Sequence, residues 1–159
     1  MGRSHAWIKR GQELSDPRPS NWGGNLTMIG AVRLEGWVTL RAQFQSANQD
    51  RFGKWVRRYL APKLRQGDIV IMDNAWAHKR PDAVEHVQAV GARIKFLPPY
   101  SPDMNPIEPA WAIVKKFIKA KAPRAKQWLR RAAHAARHRI TPLQLWKWFQ
   151  HSGCRPRRK

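Results

Sequence analysis

The spacing of hydrophobic positions changes repeatedly along the chain, and each change marks an element. Leu26-Thr27-Met28-Ile29-Gly30-Ala31-Val32 is a compact apolar run of strand length, and Glu35-Gly36 follows as a turn. Val38, Leu40, Ala42 and Phe44 then alternate with Thr39, Arg41 and Gln43. Alternation at period two predicts a strand with one buried face, so the two runs are expected to pair as an antiparallel hairpin. Over 48–64 the period lengthens. Phe52, Trp55, Val56, Tyr59 and Leu60 recur at helical spacing, with Asn48 placed to cap the start. Gln66-Gly67-Asp68 is a turn, and Ile69-Val70-Ile71-Met72 follows without alternation. Such a run predicts a strand buried on both faces, at the centre of a sheet. A short helix over 81–90 begins at Pro81 and ends at Gly91, before a further strand at Ala92-Arg93-Ile94-Lys95-Phe96-Leu97. Strand, helix and strand in this order predict a parallel pair with a right-handed crossover.

Pro98-Pro99-Tyr100-Ser101-Pro102 is a stiff loop, because its three prolines fix their φ angles. A helix is expected from about Asn105, turning Ile107, Trp111, Val114 and Ile118 inward. Two more are expected over 126–138 and 142–150. Their predicted inner faces are Trp128, Leu129, Ala132, Ala133 and Ala136 in the first, and Leu143, Leu145, Trp146 and Phe149 in the second. The nine tryptophans are read mainly as core packing. Residues 1–24 are rich in Gly, Pro, Ser and Asn and are expected to be irregular. There is no internal repeat.

A chain of 159 residues with 42% hydrophobic residues is one domain's worth and can bury a core. Its charge narrows the function. The formal net charge is +21, from 31 Lys+Arg against 10 Asp+Glu. A chain so basic attracts polyanions, nucleic acid first and an anionic membrane second. Beyond Glu108 there is no acid, and the terminal Gly153-Cys154-Arg155-Pro156-Arg157-Arg158-Lys159 reads as a basic, disordered tail. A single cysteine, Cys154, excludes a disulfide framework and a cysteine zinc site. No apolar run reaches the ~20 residues of a membrane helix, and the N-terminus has no apolar signal core. A soluble intracellular protein is expected.

The chemistry is expected around two acids. Asp73 ends the most apolar strand, at the carboxyl edge where open α/β sheets bind ligands. A charge beside a core must be paired, solvated or bound to metal. Asp103 and Glu108 flank the next helix start, which favours negative charge without any further role. Asn105-Pro106-Ile107-Glu108 also reads as a capping box, with Asn as cap and Glu three residues on. Carboxylate oxygens suit Mg²⁺, which holds few protein ligands and keeps several waters. Two such ions roughly 3.5–4 Å apart can activate water and stabilise the leaving oxygen at a phosphodiester.

The motifs Asp73-Asn74-Ala75-Trp76-Ala77-His78 and Leu97-Pro98-Pro99-Tyr100-Ser101-Pro102-Asp103-Met104-Asn105-Pro106-Ile107-Glu108-Pro109-Ala110-Trp111 closely resemble those of the DDE transposases. The resemblance is to the mariner-like superfamily and its bacterial insertion-sequence branch, with 34 residues between Asp73 and Glu108. It implies an α/β fold: a ribonuclease-H-like mixed sheet flanked by helices, followed by C-terminal helices. It implies Mg²⁺ or Mn²⁺ dependence and DNA strand cleavage and transfer at transposon ends. By the same resemblance, Asp73 and Glu108 are the second and third catalytic metal ligands. Asn74 and His78 support the second acid, and Tyr100, Ser101, Asp103 and Asn105 shape the loop that aims the last helix. Lys115, Lys116, Lys119, Arg130 and Arg131 are expected to contact DNA, and the location implied is the bacterial nucleoid. The implied partners are transposon-end and target DNA, with an N-terminal transposase polypeptide or a second copy as the protein partner.

The family's first catalytic Asp ends an apolar strand upstream of a stretch like Trp7-Ile8-Lys9-Arg10-Gly11-Gln12. Here Met1 stands six residues before Trp7, so that strand is expected to be missing. No other acid replaces it: Glu13 and Asp16 lie in loop sequence, Glu35 in a turn and Asp50 at a helix start. The expected organisation is an irregular segment at 1–24, a partial catalytic domain at 25–150 and a basic tail at 151–159. A two-metal site is expected only if the missing Asp is supplied. The alternatives are a non-catalytic basic DNA-binding protein or a decayed transposase remnant.

Overall fold

The computed structural model describes residues 26–46, 48–121 and 126–154. The N-terminal segment 1–24 and the last five residues of the basic tail therefore lie outside the described residues. The predicted hairpin forms. Strand β1 (Thr27–Arg33) pairs antiparallel with β2 (Gly36–Gln43), and the register slips between Ala31 and Val32. Gly36, at φ 145°, makes the turn that a side chain would resist. Along β2, Leu40 and Ala42 are buried while Arg41 is exposed, as the alternation required.

Helix α1 (Gln49–Trp55) starts where expected: the Asn48 side chain accepts a hydrogen bond from the Arg51 N–H at 2.9 Å. The single helix expected over 48–64 does not persist. It widens into a π-helical turn at Val56–Leu60 and tightens into a 3₁₀ turn at Ala61–Lys63. The widened turn keeps Val56 and Leu60 fully buried, and Pro62 stands in the 3₁₀ turn that ends the segment.

Strand β3 (Ile69–Met72) and strand β4 (Arg93–Phe96) pair in parallel, joined by helix α2 (Pro81–Gln88). The expectation that β3 is buried on both faces fails. Among the described residues it has one neighbour, β4, and Ile69 is 58% exposed. The apolar run is real, but the second neighbouring strand that would cover it is not among the described elements. The sheet is thus two separate two-stranded pieces.

Helix α3 (Glu108–Lys121) starts three residues later than expected, after a 3₁₀ turn at Pro102–Met104. Asn105 does not open the helix with a capping box. Its side chain instead accepts from the Ile107 N–H at 3.3 Å, and its carbonyl accepts from the Glu108 N–H at 3.1 Å. A complete capping box stands elsewhere, between Thr141 and Gln144 at the start of helix α5 (Pro142–His151). Helix α4 (Lys126–Ala136) packs on α3 and β2.

The core has two parts. Phe52, Trp55, Val56, Leu60, Met72, Ala83, Val87 and Ala92 form one, beneath the β3–β4 pair. Ala110, Ile140 and Leu145 centre the other, with Trp37 and Trp148 packed against it. Several residues predicted to point inward do not. Trp128 is 53% exposed and Leu143 is 62% exposed, and Trp146 is also an exposed residue. Trp128 lies under the Arg131 guanidinium at 5.0 Å, where a cation–π contact replaces core burial. Trp76 is exposed too, so the tryptophans divide between core and surface.

His134 on α4 is held below the ordinary imidazole range. Partial burial is the main cause, and Arg41, Arg137 and Arg130 add to it. The unfolded chain therefore binds a proton near pH 6.5 that the folded chain resists. Stability is greatest above that pH and falls as the pH drops through it towards the lowered folded value. Urea midpoints at pH 7.5 and 5.5 should differ less for His134→Gln than for the parent; an equal difference would show that His134 is not responsible.

Candidate active site

Asp73 immediately follows β3, at the carboxyl end of the parallel pair. Its Oδ1 accepts a hydrogen bond from the Ala75 N–H at 3.1 Å, closing a tight turn out of the strand. His78 Nδ1 lies 2.5 Å from the same oxygen. That contact is off the ring N–H axis, since no aligned hydrogen bond reaches this buried nitrogen among the described residues. It works as an ion pair when the imidazole is protonated. The opposite side of the imidazole faces Phe52, with ring centroids 4.3 Å apart. Gln49 fixes the same turn from α1, its Nε2 donating to Trp76 O at 3.0 Å. Helix α2, which follows the turn, is tied to α1 by Arg80, which pairs with Asp50 and reaches Asp82 at 2.7 Å.

Sequence reasoning placed His78 beside Asp73 but missed Phe52 and Gln49. Phe52 gave only the signal of a core residue on a helical stripe, and nothing in the chain joins it to position 78.

Glu108 is the first residue of α3, where the helix dipole favours a carboxylate. The preceding loop aims it. Pro102 opens the 3₁₀ turn, Ser101 Oγ donates to Pro99 O at 3.2 Å, and Asn105 is buried under the turn. The turn is anchored at the far end of the chain, where Ser152 Oγ donates to Asp103 O at 3.2 Å. Asp103 thus contributes through its backbone.

Asp73 and Glu108 both border one cleft of about 400 Å³, together with Asn74, Ala75, Tyr100, Ser101 and Asn105. They also border one end of a larger cavity that runs between β1 and β3. Two further acids border that cavity. Asp68 is bonded to Arg33 at 3.1 Å, and Glu35 lies 4.0 Å from Arg65. Asp68 and Asp73 bracket the strand, so they stand roughly 16 Å apart along it at about 3.3 Å per residue. The described residues hold no cluster of three or more His, Cys, Asp or Glu suited to a metal ion.

Tyr100 stands at the cleft's rim, fully exposed, with φ at 57°. A left-handed conformation costs an L-residue roughly 1–2 kcal/mol, and no packing offsets it here. Glycine accepts the conformation but adds freedom to the unfolded chain. Tyr100→Gly should therefore raise stability by about 0.5 kcal/mol in urea titration; a loss would show that the ring is held by contacts.

The expected DNA contacts divide. Lys115, Lys116, Lys119, Arg130 and Arg131 are all exposed. Lys115 lies roughly 10 Å along the α3 axis from Glu108, whereas Arg130 and Arg131 are on α4, outside the residues that border the cleft.

A family profile described as "DDE superfamily endonuclease" matches residues 1–130 of the chain. The chain belongs to the DDE superfamily endonucleases. No curated protein matches it. Among solved structures, the Mos1 mariner paired-end complex with Mn superposes with a TM-score of 0.69 at 16% identity, over 93% of this chain and 47% of that one. The Mos1 strand transfer complex gives 0.54 at 18% identity, over 95% and 50%. The Mos1 transposase paired-end complex with left transposon end gives 0.52 at 18% identity, over 95% and 51%. At these identities the likeness shows the fold: mixed α/β, with small sheets and five helices, of the ribonuclease-H-like transposase kind. This DDE endonuclease chain spans about half the length of the Mos1 chains it matches. No helix among its described residues is long and apolar enough to cross a membrane.

Proposed function

We propose that this chain is the C-terminal portion of the catalytic domain of a DDE transposase of the insertion-sequence branch, acting in metal-dependent cleavage and transfer of DNA strands. The observation that carries the reading is the shared cleft: Asp73 and Glu108, 34 residues apart in sequence, border the same cavity from different elements. Support comes also from the family match over both motifs and from a solved relative that contains Mn.

The donor set fits one hard cation. Mg²⁺ is held by one or two carboxylates and keeps its remaining waters, so Asp73 and Glu108 suffice for a single hydrated ion. A second ion needs a further acid, and Asp68 and Glu35 are engaged by arginines away from this end of β3. When bound, divalent metal supplies water activation and charge stabilisation at a phosphodiester. The protein's own residues set the geometry. The Ala75 N–H and His78 hold one oxygen of Asp73, which leaves Oδ2 free, and the proline-braced loop fixes Glu108. Phe52 and Gln49 keep the Asp73–His78 turn from rotating away.

With two acids at the cleft, the 159-residue chain by itself is proposed to be inert. Incubation with Mn²⁺ and transposon-end DNA should give no nicking above background. Robust nicking that survives Asp73→Ala would defeat the site assignment. Nicking abolished by Asp73→Ala would keep the site and refute the inertness.

A second reading, a non-catalytic DNA-binding protein, is favoured by the +21 charge. DNA binding is expected on both readings and should be phosphate-driven. Its log K should fall by about 0.9 for each phosphate contact per log unit of salt. Asp73→Ala and Glu108→Ala should leave this binding unchanged or slightly tighter. A metal-dependent activity lost with either substitution would exclude the second reading.

A further inference from the structure

The larger cavity, of about 430 Å³, is bordered by every residue of β1 and every residue of β3. It is therefore a slot between two strands, as long as the strands themselves. Its walls are mainly apolar: Met28, Ile29, Val38, Phe52, Trp55 and Ile71 all border it.

The backbone makes the slot specific. The Arg93 N–H donates to Asp68 O and the Leu97 N–H to Met72 O, both at 2.8 Å. Even-numbered positions along β3 therefore address β4. By the alternation of a strand, the N–H and C=O of Ile69 and Ile71 address the opposite side, towards the slot. Among the described residues they have no backbone partner. Across the slot, β1 bonds β2 and no other strand. Two hydrogen-bonding edges thus face each other across an apolar gap. Backbone groups lining such a gap need partners, and apolar side chains alone supply none. The buried indole N–H of Trp55, another residue at the slot, also lacks an acceptor among the described residues.

The geometry points to a strand-acceptor site. One extended apolar segment from outside these 159 residues enters the slot, parallel to β3, and joins the two half-sheets into one. A segment facing both edges needs about five residues, roughly 17 Å. Covered on both faces, it must be almost continuously apolar. The sequence ahead of β1 offers no such run: the longest uninterrupted apolar stretch before residue 26 is Ala6-Trp7-Ile8, and Pro17 and Pro19 interrupt the remainder. The charge of +21 favours a segment flanked by acids.

The probe is the peptide acetyl-Glu-Val-Ile-Val-Val-Ile-Glu-amide, added to the full chain. We expect saturable binding and at least a hundred-fold slower hydrogen exchange at the Ile69 and Ile71 amides. The same peptide N-methylated at alternate residues should not bind, because it lacks the ladder donors on one edge. Ile71→Pro removes a slot-facing N–H without touching any β3–β4 bond, and should abolish capture while leaving the circular dichroism spectrum intact. Equal binding of the methylated peptide would reduce the slot to a greasy groove and overturn the inference. So would binding that leaves Ile69 and Ile71 exchanging freely. Amides already slow without peptide would also overturn it, showing a slot filled by residues 1–25 or, if the protection rises with protein concentration, by a second copy. Peptide capture needs neither DNA nor metal, so its failure leaves the cleavage reading to its own test.

Discussion

Leu60→Ala should lower the unfolding free energy by about 3 kcal/mol, within the range for removing a buried leucine. Leu60 is 1% exposed and ends the π-helical turn, facing Phe52, Val56 and Met72 in the same core. Part of the cost is lost apolar transfer, and part is a cavity that cannot collapse. The backbone at 56–63 is already committed to an unusual turn, with Pro62 at its end, so it has little freedom to close inward. Urea unfolding followed by tryptophan fluorescence would measure the effect. A loss under 1 kcal/mol would mean that the site relaxes, and that the widened turn is soft.

The second large effect is expected at Gly30. A β-carbon there would stand 2.7 Å from Trp37 Cζ3, 3.0 Å from the Thr39 carbonyl oxygen and 3.1 Å from Trp111 Cη2. The carbonyl belongs to the paired strand and cannot yield. The two indoles, 5.2 Å apart between ring centroids, would have to move together. Overpacking of this kind costs about 1–3 kcal/mol, and Gly30→Ala should fall within that range. Its consequence extends to the cleft. Trp111 lies one turn after Glu108 on α3, so displacing its ring tilts the helix end that carries the carboxylate. Near-ultraviolet circular dichroism should report the loss of the indole pair. An unchanged spectrum and midpoint would show that α3 already stands off β1.

Local pattern carried much of this architecture. The alternation over 38–44 yields the strand that buries Leu40 and Ala42, and Asn48 caps the helix it was expected to cap. Gly91, at φ 74°, closes the α2 region as predicted. The failures have physical causes. Ile69-Val70-Ile71-Met72 reads as doubly buried because its composition reflects two neighbours, and the described residues supply only one. Trp128 and Leu143 lie on apolar stripes, yet helical periodicity does not say whether anything covers the stripe. The π-turn at Val56–Leu60 leaves no trace in residue spacing. Thr141 and Gln144 did carry a readable signal, a Thr and a Gln three apart ahead of apolar residues, and it was overlooked.

At the candidate site, what was legible was identity. The acids and their loops could be singled out because their residue types and spacing match a chemistry. The support was not legible. Phe52 under His78, Gln49 on the Trp76 carbonyl and Ser152 on Asp103 all join positions distant in sequence, and only folding brings them together. The pairing of Arg80 with both Asp50 and Asp82 is of the same kind.

The open edges of β1 and β3 also bear on how the molecule behaves in a crowded solution. Uncovered ladders ordinarily invite copies of a chain to zip together into fibres. Each copy here carries +21, and two such bodies repel before their edges can meet. That protection lasts only while the field extends beyond the surface. In molar salt the field decays within about 3 Å, so the same ionic strength that releases DNA should turn a clear solution of this protein turbid.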